Sequence, residues 1–261
     1  MTIHFDKYHG AGNDFIIVDN RESKFSLNSS MINNMCMRHF GIGADGLIEI
    51  LDDETDFYMR YYNADGQEGT MCGNGGRCAA AFAFTHNIST EKMSFKTIDG
   101  VHQANIVQKE PSFKIQLSMN DIEHIDTKKD HFFIDTGSPH YVKFLDKINE
   151  KNFLSEAKTL RHNYRKGGTN VNFVVQHDNH LDIRTFERGV EAETLACGTG
   201  VTASALAAAL RTNMNKGAIK VNALGGQLKV YFERMNQGFS NIWLEGPAQL
   251  VFKGQIELKN G

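Results

Sequence analysis

The chain has 261 residues, 41% of them hydrophobic, which is enough to bury one large core or two cores of about 120 residues each. Its formal net charge of −3 gives no electrostatic reason to expect nucleic acid or a membrane surface as a partner. No apolar run approaches the roughly 20 residues that a membrane span requires.

The cysteine content narrows the class of protein further. The four cysteines, at positions 36, 72, 78 and 197, do not form the framework of a small disulfide-rich domain, and the first residues predict a strand rather than a signal peptide. We therefore expect a cytoplasmic protein. No Cys-x-x-Cys or His-x-x-x-His pair supplies a closed zinc site, so we expect no metal.

The first half of the chain predicts strands joined by glycine turns and one main helix. Residues Ile3 to Tyr8 alternate apolar and polar side chains, a glycine turn follows at 9–14, and Phe15 to Val18 is a buried-strand run. The further predicted elements are a short helix at 29–37, strands at 47–51 and 56–62, a helix after Cys72, a hairpin at 93–107 and a strand at 114–119.

The second half predicts the same order of elements. A strand and a glycine turn at 132–142 are followed by a helix near 147–160 and strands at 166–175 and 180–186. A helix after Cys197, a hairpin at 218–233 and strands at 241–245 and 250–258 complete the chain.

One constant offset relates the two halves. Cys72 and Cys197 lie 125 positions apart, since 197 minus 72 is 125. The same offset places Gly12 on Gly137, Gly43 on Gly168, Glu68 on Glu193 and Gly100 on Gly225. A single ungapped offset over most of each half predicts two copies of one unit. We expect the units to be residues 1–119, completed by 249–261, and residues 120–248.

The fold class follows from this repeat. Many strands and one main helix per half predict an α/β (α+β) protein with two pseudo-symmetric domains. Each domain is expected to be a curved, mostly antiparallel sheet or barrel wrapped around a central helix.

Each copy places a cysteine directly before a helix. Cys72-Gly-Asn-Gly75 and Cys197-Gly-Thr-Gly200 both run into alanine-rich segments that have high helix propensity and suit a buried helix. A helix N-terminus stabilises a thiolate and also binds a carboxylate. We therefore predict that the two cysteines face one cleft and move the proton on a carbon next to a carboxylate.

A lone cysteine is more often a small buried hydrophobe than a reactive group. The equivalent positions of Cys72 and Cys197, with glycines directly after both, favour a catalytic role for this pair. Cys78 has Ala203 as its counterpart, because 203 minus 78 is 125, and it is interpreted as a core residue, as is Cys36.

The glycine-rich elements have a rival interpretation as nucleotide loops. Residues 198–203 fit the dinucleotide fingerprint by letter, but the preceding segment 190–196 is too polar for the buried strand that this fingerprint needs. No Gly-Lys-Ser or Gly-Lys-Thr ending is present for a P-loop. The sequence therefore does not favour a nucleotide, and nothing in it calls for pyridoxal phosphate or another cofactor.

Three further residues are candidates for the site. Arg188 stands where the first copy carries Asn63, and its planar fork suits a second carboxylate on the ligand; the alternative is a surface arginine. Asn13 either binds a ligand or tolerates the turn geometry. His140 either tunes a nearby thiol or is a structural histidine.

The combined pattern resembles the diaminopimelate epimerase family through nearly the whole chain. The motifs that carry the resemblance are His9-Gly-Ala-Gly-Asn13-Asp-Phe15, Gly41-Ile-Gly-Ala-Asp-Gly46, Asn63-Ala-Asp-Gly66, Met71-Cys-Gly-Asn-Gly75, Ser138-Pro-His140, Asn170, Glu187-Arg-Gly189, Glu193-Thr194 and Ala196-Cys-Gly-Thr-Gly200.

The resemblance implies a cofactor-independent isomerase that interconverts LL- and meso-diaminopimelate, for lysine and cell-wall precursor synthesis, and commonly a homodimer. It assigns Cys72 and Cys197 as the acid and base pair and places His140 and Glu187 near the thiols. The positions that it assigns to substrate binding are Asn13, Asn63, Gly73, Asn74, Asn170, Glu187, Arg188, Gly198 and Thr199.

The sequence departs from the family pattern at three places. Ser138 stands where many members carry an asparagine, the loop 189–194 is one residue longer than usual, and Phe252 stands where some relatives carry a dimer-contact tyrosine. Two alternatives stay open: a racemase for another amino acid, such as histidine or hydroxyproline, on the same scaffold, and a non-catalytic amino acid binding protein.

Overall fold

The structure, a computed structural model, describes residues 1–258. The last three residues of the predicted completing segment 249–261 therefore lie outside the described residues. The chain divides into two compact units, one formed by Met1–Leu117 with the residues from Gly246 onward, and the other by Ser118–Glu245.

The first unit contains two helices among its strands. Its elements are β1 Thr2–Gly10, β2 Asn13–Asp19, α1 Ser29–Cys36, β3 Gly46–Leu51, β4 Phe57–Asn63, β5 Glu68–Gly69, α2 Gly73–Thr85, β6 Lys92–Thr97, β7 Gly100–Gln108 and β8 Phe113–Ser118. Most neighbouring strands are antiparallel, while the pairs β2–β3 and β4–β6 are parallel. Parallel neighbours need a crossover connection, which α1 and α2 provide.

The second unit begins with the two-residue strand β9 and then repeats the order of elements of the first unit. Its elements are β9 Asp126–Thr127, β10 Phe132–Asp135, β11 Pro139–Phe144, α3 Glu150–Asn163, β12 Asn170–Gln176, β13 Leu181–Glu187, β14 Ala192–Thr194, α4 Gly198–Arg211, β15 Lys216–Ala223, β16 Gly226–Arg234 and the first part of β17 Phe239–Glu257, whose residues from Gly246 onward belong to the first unit. Its parallel pairs, β11–β12 and β13–β15, are the counterparts of those in the first unit. The predicted α/β class, with equivalent units, is confirmed.

The central helix of each unit is built from small residues. Every residue of α2 from Gly73 to Ala83 is buried, and so is every residue of α4 from Gly200 to Ala209. Most of these buried residues are glycine or alanine, and such small side chains let the surrounding strands approach the helix closely. The glycine and alanine runs seen in the sequence therefore mark the two helices around which the sheets pack.

The long last strand corrects one prediction. Separate strands were predicted at 241–245 and 250–258, but residues 239–257 form the one continuous strand β17. Its first part pairs with β16 as far as Glu245, and its later part pairs with β1 from Gln249 onward. Pro247 thus lies where the strand changes partners, so its missing N–H does not interrupt either of these ladders.

Among residues 1–258, no helix combines the length and the apolar character needed to cross a membrane.

Candidate active site

The two cysteines begin the two central helices, as predicted. Cys72 is the N-cap of α2, with φ −92° and ψ 125°, and Cys197 is the N-cap of α4, with φ −109° and ψ 111°. Neither sulfur caps its own helix, so the helix amides are not satisfied by the thiols. Cys72 is partly exposed and Cys197 is 7% exposed.

In the first unit, two asparagines, Asn13 and Asn74, form hydrogen bonds next to the Cys72 thiol. The Cys72 thiol donates to Asn13 Oδ1 at 3.5 Å, and Asn74 Nδ2 donates to the same oxygen at 3.3 Å. The other end of the Asn13 amide, Nδ2, donates to Asp45 Oδ2 at 2.6 Å. Asp45 is itself paired with Arg38 at 2.9 Å. These contacts join three of the predicted site residues, Asn13, Cys72 and Asn74.

Arg77 was not predicted, yet its guanidinium lies over the first turn of α2. The side chain is fully buried and donates to Asn74 Oδ1 at 2.6 Å and to the Gly73 carbonyl at 3.1 Å. Burial lowers the pKa of Arg77. The signal that could have identified it is a charged residue within a run of glycines and alanines that predicts a buried helix.

Asn63 lies at the end of β4 with an exposed side chain. Its Oδ1 accepts from Tyr61 Oη at 3.1 Å, and Gly69 is close enough that a Cβ there would lie 3.0 Å from its Nδ2. These contacts place Asn63 at the β4–β5 turn.

In the second unit, Thr199 links Cys197 to His140. Thr199 Oγ1 lies 3.3 Å from Cys197 Sγ and 2.9 Å from His140 Nε2. Ser138 Oγ lies 3.0 Å from the same imidazole nitrogen and 3.2 Å from Thr199 Oγ1. Burial, and secondarily the charge of Arg188, lowers the pKa of His140 to about 3. The imidazole is therefore neutral at physiological pH.

The remaining predicted residues of this unit surround Asn170. The backbone N–H of Arg188 donates to Asn170 Oδ1 at 2.8 Å, and Asn170 Nδ2 donates to Ser138 Oγ at 3.2 Å. The Arg188 residue is exposed. Glu187 accepts a hydrogen bond from Thr194 Oγ1 at 3.0 Å. Asn170 thus holds the backbone that carries Arg188 next to Ser138.

Equivalent positions make equivalent contacts in the two units. Asn13 contacts Asp45 and Ser138 contacts Asn170; 138 minus 13 and 170 minus 45 are both 125. Arg77 donates to the Gly73 carbonyl, and its counterpart Thr202 donates to the Gly198 carbonyl at 3.0 Å. The repeat therefore extends to side-chain contacts around both cysteines, although the residue types differ.

Two buried residues behind His140 were also not predicted. Asn172 Nδ2 lies 3.0 Å from His140 Nδ1, and Thr185 Oγ1 donates to Asn172 Oδ1 at 2.9 Å. A Cβ at Gly200 would lie 2.4 Å from Asn172 Oδ1, so only glycine at that position lets the amide reach the imidazole. The available signal was a polar residue inside the apolar run from Val171 to Val175.

We expect the buried, neutral His140 to make stability pH-dependent. Its folded pKa of about 3 lies below the ordinary value of 6.5, so its contribution is complete above pH 6.5 and is lost as the pH falls toward 3. At pH 5 the loss amounts to roughly 2 kcal/mol. Urea unfolding of the native protein and of His140→Gln at pH 7.5 and 5 should show the larger decrease in the native protein. Equal decreases would contradict this assignment.

In the part of the chain that the structure describes, one group of side chains has the ligand types and spacing for a metal ion. His177, His180 and Asp182 place ligand atoms within 4.8 Å of one another at the turn between β12 and β13. Each imidazole already contacts a different oxygen of Asp182, at 2.9 and 3.3 Å. Asn170 and Glu187 lie at the other end of the same strands, roughly 20 Å away. The cluster is thus separate from the residues around Cys197.

Two equivalent units, each with a cysteine at the N-terminus of a buried helix, define a known fold. A solved structure described as a probable proline racemase from Agrobacterium radiobacter K84 superimposes with a TM-score of 0.74 at 13% identity, covering 98% of this chain and 93% of that chain. At this identity the likeness establishes the racemase and epimerase fold alone.

The family follows from the sequence comparison. The profile of the family described as diaminopimelate epimerase matches twice, over residues 5–125 and 132–251. The chain is 46% identical to a diaminopimelate epimerase of Flavobacterium psychrophilum, over 96% of this chain and 98% of the relative, and 42% identical to one of Chlorobaculum tepidum, over 95% and 99%. The chain belongs to the diaminopimelate epimerase family and is an isomerase.

Proposed function

We propose that the enzyme interconverts LL- and meso-2,6-diaminopimelate by moving the proton at one Cα between Cys72 and Cys197, without a cofactor, in lysine and peptidoglycan precursor synthesis. The observation that carries this proposal is the position of the two cysteines. Each is the N-cap of a buried helix, at equivalent places in a chain of this family.

The chemistry requires one thiolate and one thiol. The thiolate removes the Cα proton from one face, leaving a planar carbanion, and the thiol donates its proton to the opposite face, so atoms and charge balance. The two sulfurs exchange roles in the reverse direction. The carboxylate next to the reacting carbon gains negative charge in the transition state, and helix N-terminal amides stabilise such charge. The amides of Gly73, Asn74, Gly198 and Thr199 have this position.

The other predicted residues form two groups. One group contacts the substrate, and the other fixes the position of the residues that contact it. The exposed Arg188 suits the distal carboxylate, because a guanidinium can bind both oxygens of a carboxylate. We assign the exposed Asn63 and the partly exposed Glu187 to the distal amino acid centre. Both ends of the Asn170 amide are engaged, so its role is to fix the backbone of Arg188.

The decisive experiment follows solvent deuterium uptake at Cα by mass spectrometry. We expect uptake with LL-diaminopimelate and little or none with proline, histidine or hydroxyproline. Faster uptake with one of those three would identify a racemase for that amino acid instead. Stoichiometric binding of diaminopimelate with no exchange would identify a binding protein.

A second test uses oxidation. If both thiols flank one carbon, a mild oxidant should join Cys72 to Cys197 and inactivate the enzyme, and a reductant should restore activity. Peptide mapping should recover the cross-linked pair. Inactivation with both of these thiols still free would contradict the proposal.

We further propose a cytoplasmic homodimer. Cys36, Cys72, Cys78 and Cys197 are all free thiols, which is the usual state in a reducing compartment. On β17, Val251 and Phe252 are 55% and 46% exposed, an apolar area that a second copy could cover. Sedimentation equilibrium should give twice the chain mass, and Phe252→Glu should shift the protein toward the monomer.

A further inference from the structure

We infer that the two thiols rest in opposite protonation states, Cys197 as the thiolate and Cys72 as the thiol, and that buried Asn172 sets the state of Cys197 through His140 and Thr199. This inference rests on the proposed two-thiol function. It adds Asn172 as a positioning residue and assigns the free enzyme's base and acid.

The first step is the orientation of the Asn172 amide. Its Nδ2 donates to the Tyr141 carbonyl at 3.2 Å, and a carbonyl oxygen accepts only. Its Oδ1 accepts from Thr185 Oγ1 at 2.9 Å. Exchanging the two ends of the amide would place two acceptors against each other at Tyr141. The amide orientation is therefore fixed, and its NH₂ group faces His140.

The second step is the tautomer of His140. Asn172 Nδ2 also lies 3.0 Å from His140 Nδ1, so this ring nitrogen must accept. The buried imidazole is neutral, because its pKa is lowered to about 3, and it carries one hydrogen. That hydrogen is on Nε2, which faces Thr199 Oγ1 at 2.9 Å. His140 consequently donates to Thr199.

The third step is the direction of the Thr199 hydroxyl. Its nearby acceptors are Cys197 Sγ at 3.3 Å and Ser138 Oγ at 3.2 Å. Ser138 already accepts from Asn170 Nδ2, whose orientation is fixed by the Arg188 N–H on Asn170 Oδ1. The protonated His140 Nε2 also faces Ser138 Oγ, at 3.0 Å, so two of the three polar contacts of this hydroxyl are donors, and its own hydrogen goes to the third, Thr199 Oγ1. The Thr199 hydrogen is directed at the sulfur, and a donated hydrogen bond favours thiolate over thiol.

At Cys72 the hydrogen bond runs in the opposite direction, because the sulfur is the donor. Asn13 Oδ1 faces this sulfur because Asn13 Nδ2 is held by the Asp45 carboxylate. Asn74 Nδ2 also points at that oxygen, because Arg77 holds Asn74 Oδ1. A thiol donates to such an oxygen, whereas a thiolate would be repelled by it. This contact favours the protonated form of Cys72.

Charged groups act on both thiols through space. The Arg77 cation favours a thiolate at Cys72, while Asp99, which accepts from the Met71 N–H at 3.3 Å, favours a thiol there. The charge of Arg188 acts on His140, whose imidazole contacts Thr199. Both cysteines have the same helix N-cap position, so that contribution is shared. The two direct hydrogen bonds favour opposite protonation states, because Asn13 Oδ1 accepts from the Cys72 thiol and Thr199 Oγ1 donates to the Cys197 sulfur.

The tautomer can be measured directly on the full-length protein. With ¹⁵N-labelled histidine, NMR of the native enzyme should show His140 with its hydrogen on Nε2. Asn172→Asp conserves the side-chain volume but presents only acceptors, so it should move the hydrogen to Nδ1. Finding the native hydrogen on Nδ1 would overturn the inference.

The thiol states are measured by alkylation with iodoacetamide across pH, read out by peptide mass spectrometry. The midpoint of the pH profile reports ionisation independently of access, and single variants remove coupling between the thiols. Cys197 in Cys72→Ala should titrate at least about one pH unit below Cys72 in Cys197→Ala, because a charge-assisted hydrogen bond contributes about that much. Equal or reversed midpoints would overturn the inference.

Asn172→Leu, which adds no charge, tests the positioning role in the Cys72→Ala background. It should raise the midpoint of Cys197 by about one pH unit. Ser204→Ala removes a buried hydroxyl of α4 that makes no hydrogen bond with the described residues and serves as the matched control. An unchanged midpoint in Asn172→Leu would remove Asn172 from the mechanism. None of these readouts needs substrate, so a wrong substrate assignment leaves them interpretable.

Discussion

Replacing either Cys72 or Cys197 with alanine is expected to abolish epimerisation while leaving the fold intact. In the proposed mechanism each thiol serves as the acid in one direction and as the base in the other, so neither direction survives the loss of one sulfur. Removing one positioned proton-transfer group typically costs between 10² and 10⁴ in rate, and we expect a decrease of at least roughly 10³-fold. The measurement is the rate of epimerisation, with circular dichroism to verify the fold.

The matched control is Cys36→Ala. Cys36 is buried at the end of α1, and burial raises the pKa of its thiol to about 11, so it has no thiolate to offer at neutral pH. We expect this variant to retain nearly full activity. Substantial turnover in either Cys72→Ala or Cys197→Ala would refute the two-thiol mechanism, whereas loss of activity in all three variants would indicate a general effect of the substitution.

Phe57→Ala should cause the largest loss of stability among single substitutions in the first unit's aromatic core. The Phe57 ring is fully buried and stacks on Phe95, with ring centroids 5.0 Å apart and planes 2° from parallel. The two residues are direct partners in the parallel pair β4–β6. Truncating a buried phenylalanine costs about 3–5 kcal/mol. This is a large part of the 5–15 kcal/mol that typically separates folded from unfolded states.

Phe40→Ala provides the same chemical change at a surface position. Phe40 is 87% exposed, so its truncation should alter the free energy of unfolding by less than about 0.5 kcal/mol. Denaturant unfolding of both variants measures the contrast. Similar losses in the two variants would show that ring burial at the β4–β6 pair does not control stability.

The helices that position the thiols could be predicted because their signal is local. A cysteine, two glycines and an alanine-rich run give the start, the propensity and the burial of α2 and α4 within about ten residues. The constant offset of 125 residues between the halves gave a second, independent indication that the two helices are equivalent. The prediction of two separate strands at 241–245 and 250–258 was wrong, because strand continuity there depends on partners that are distant in sequence.

The hydrogen-bond chain behind Cys197 could not be predicted from local pattern. It depends on two strand registers: His140 lies opposite Asn170 in the β11–β12 pair, and Asn172 lies opposite Thr185 in the β12–β13 pair. A shift of one residue in either register would point these side chains to the other face of the sheet. Arg77 escaped prediction because arginine is rarely fully buried, so residue type argues for the surface.

The pairing of β1 with the final strand has a consequence for biosynthesis. Residues 2–9 pair with residues 249–257, so one side of β1 lacks its partner until the ribosome has translated the roughly 240 residues that lie between the two segments. An open strand edge is a site where nascent chains associate with one another. The amino-terminal half therefore cannot finish folding ahead of the carboxy-terminal half, and premature termination near residue 245 would yield a product with an uncovered edge rather than a smaller working protein.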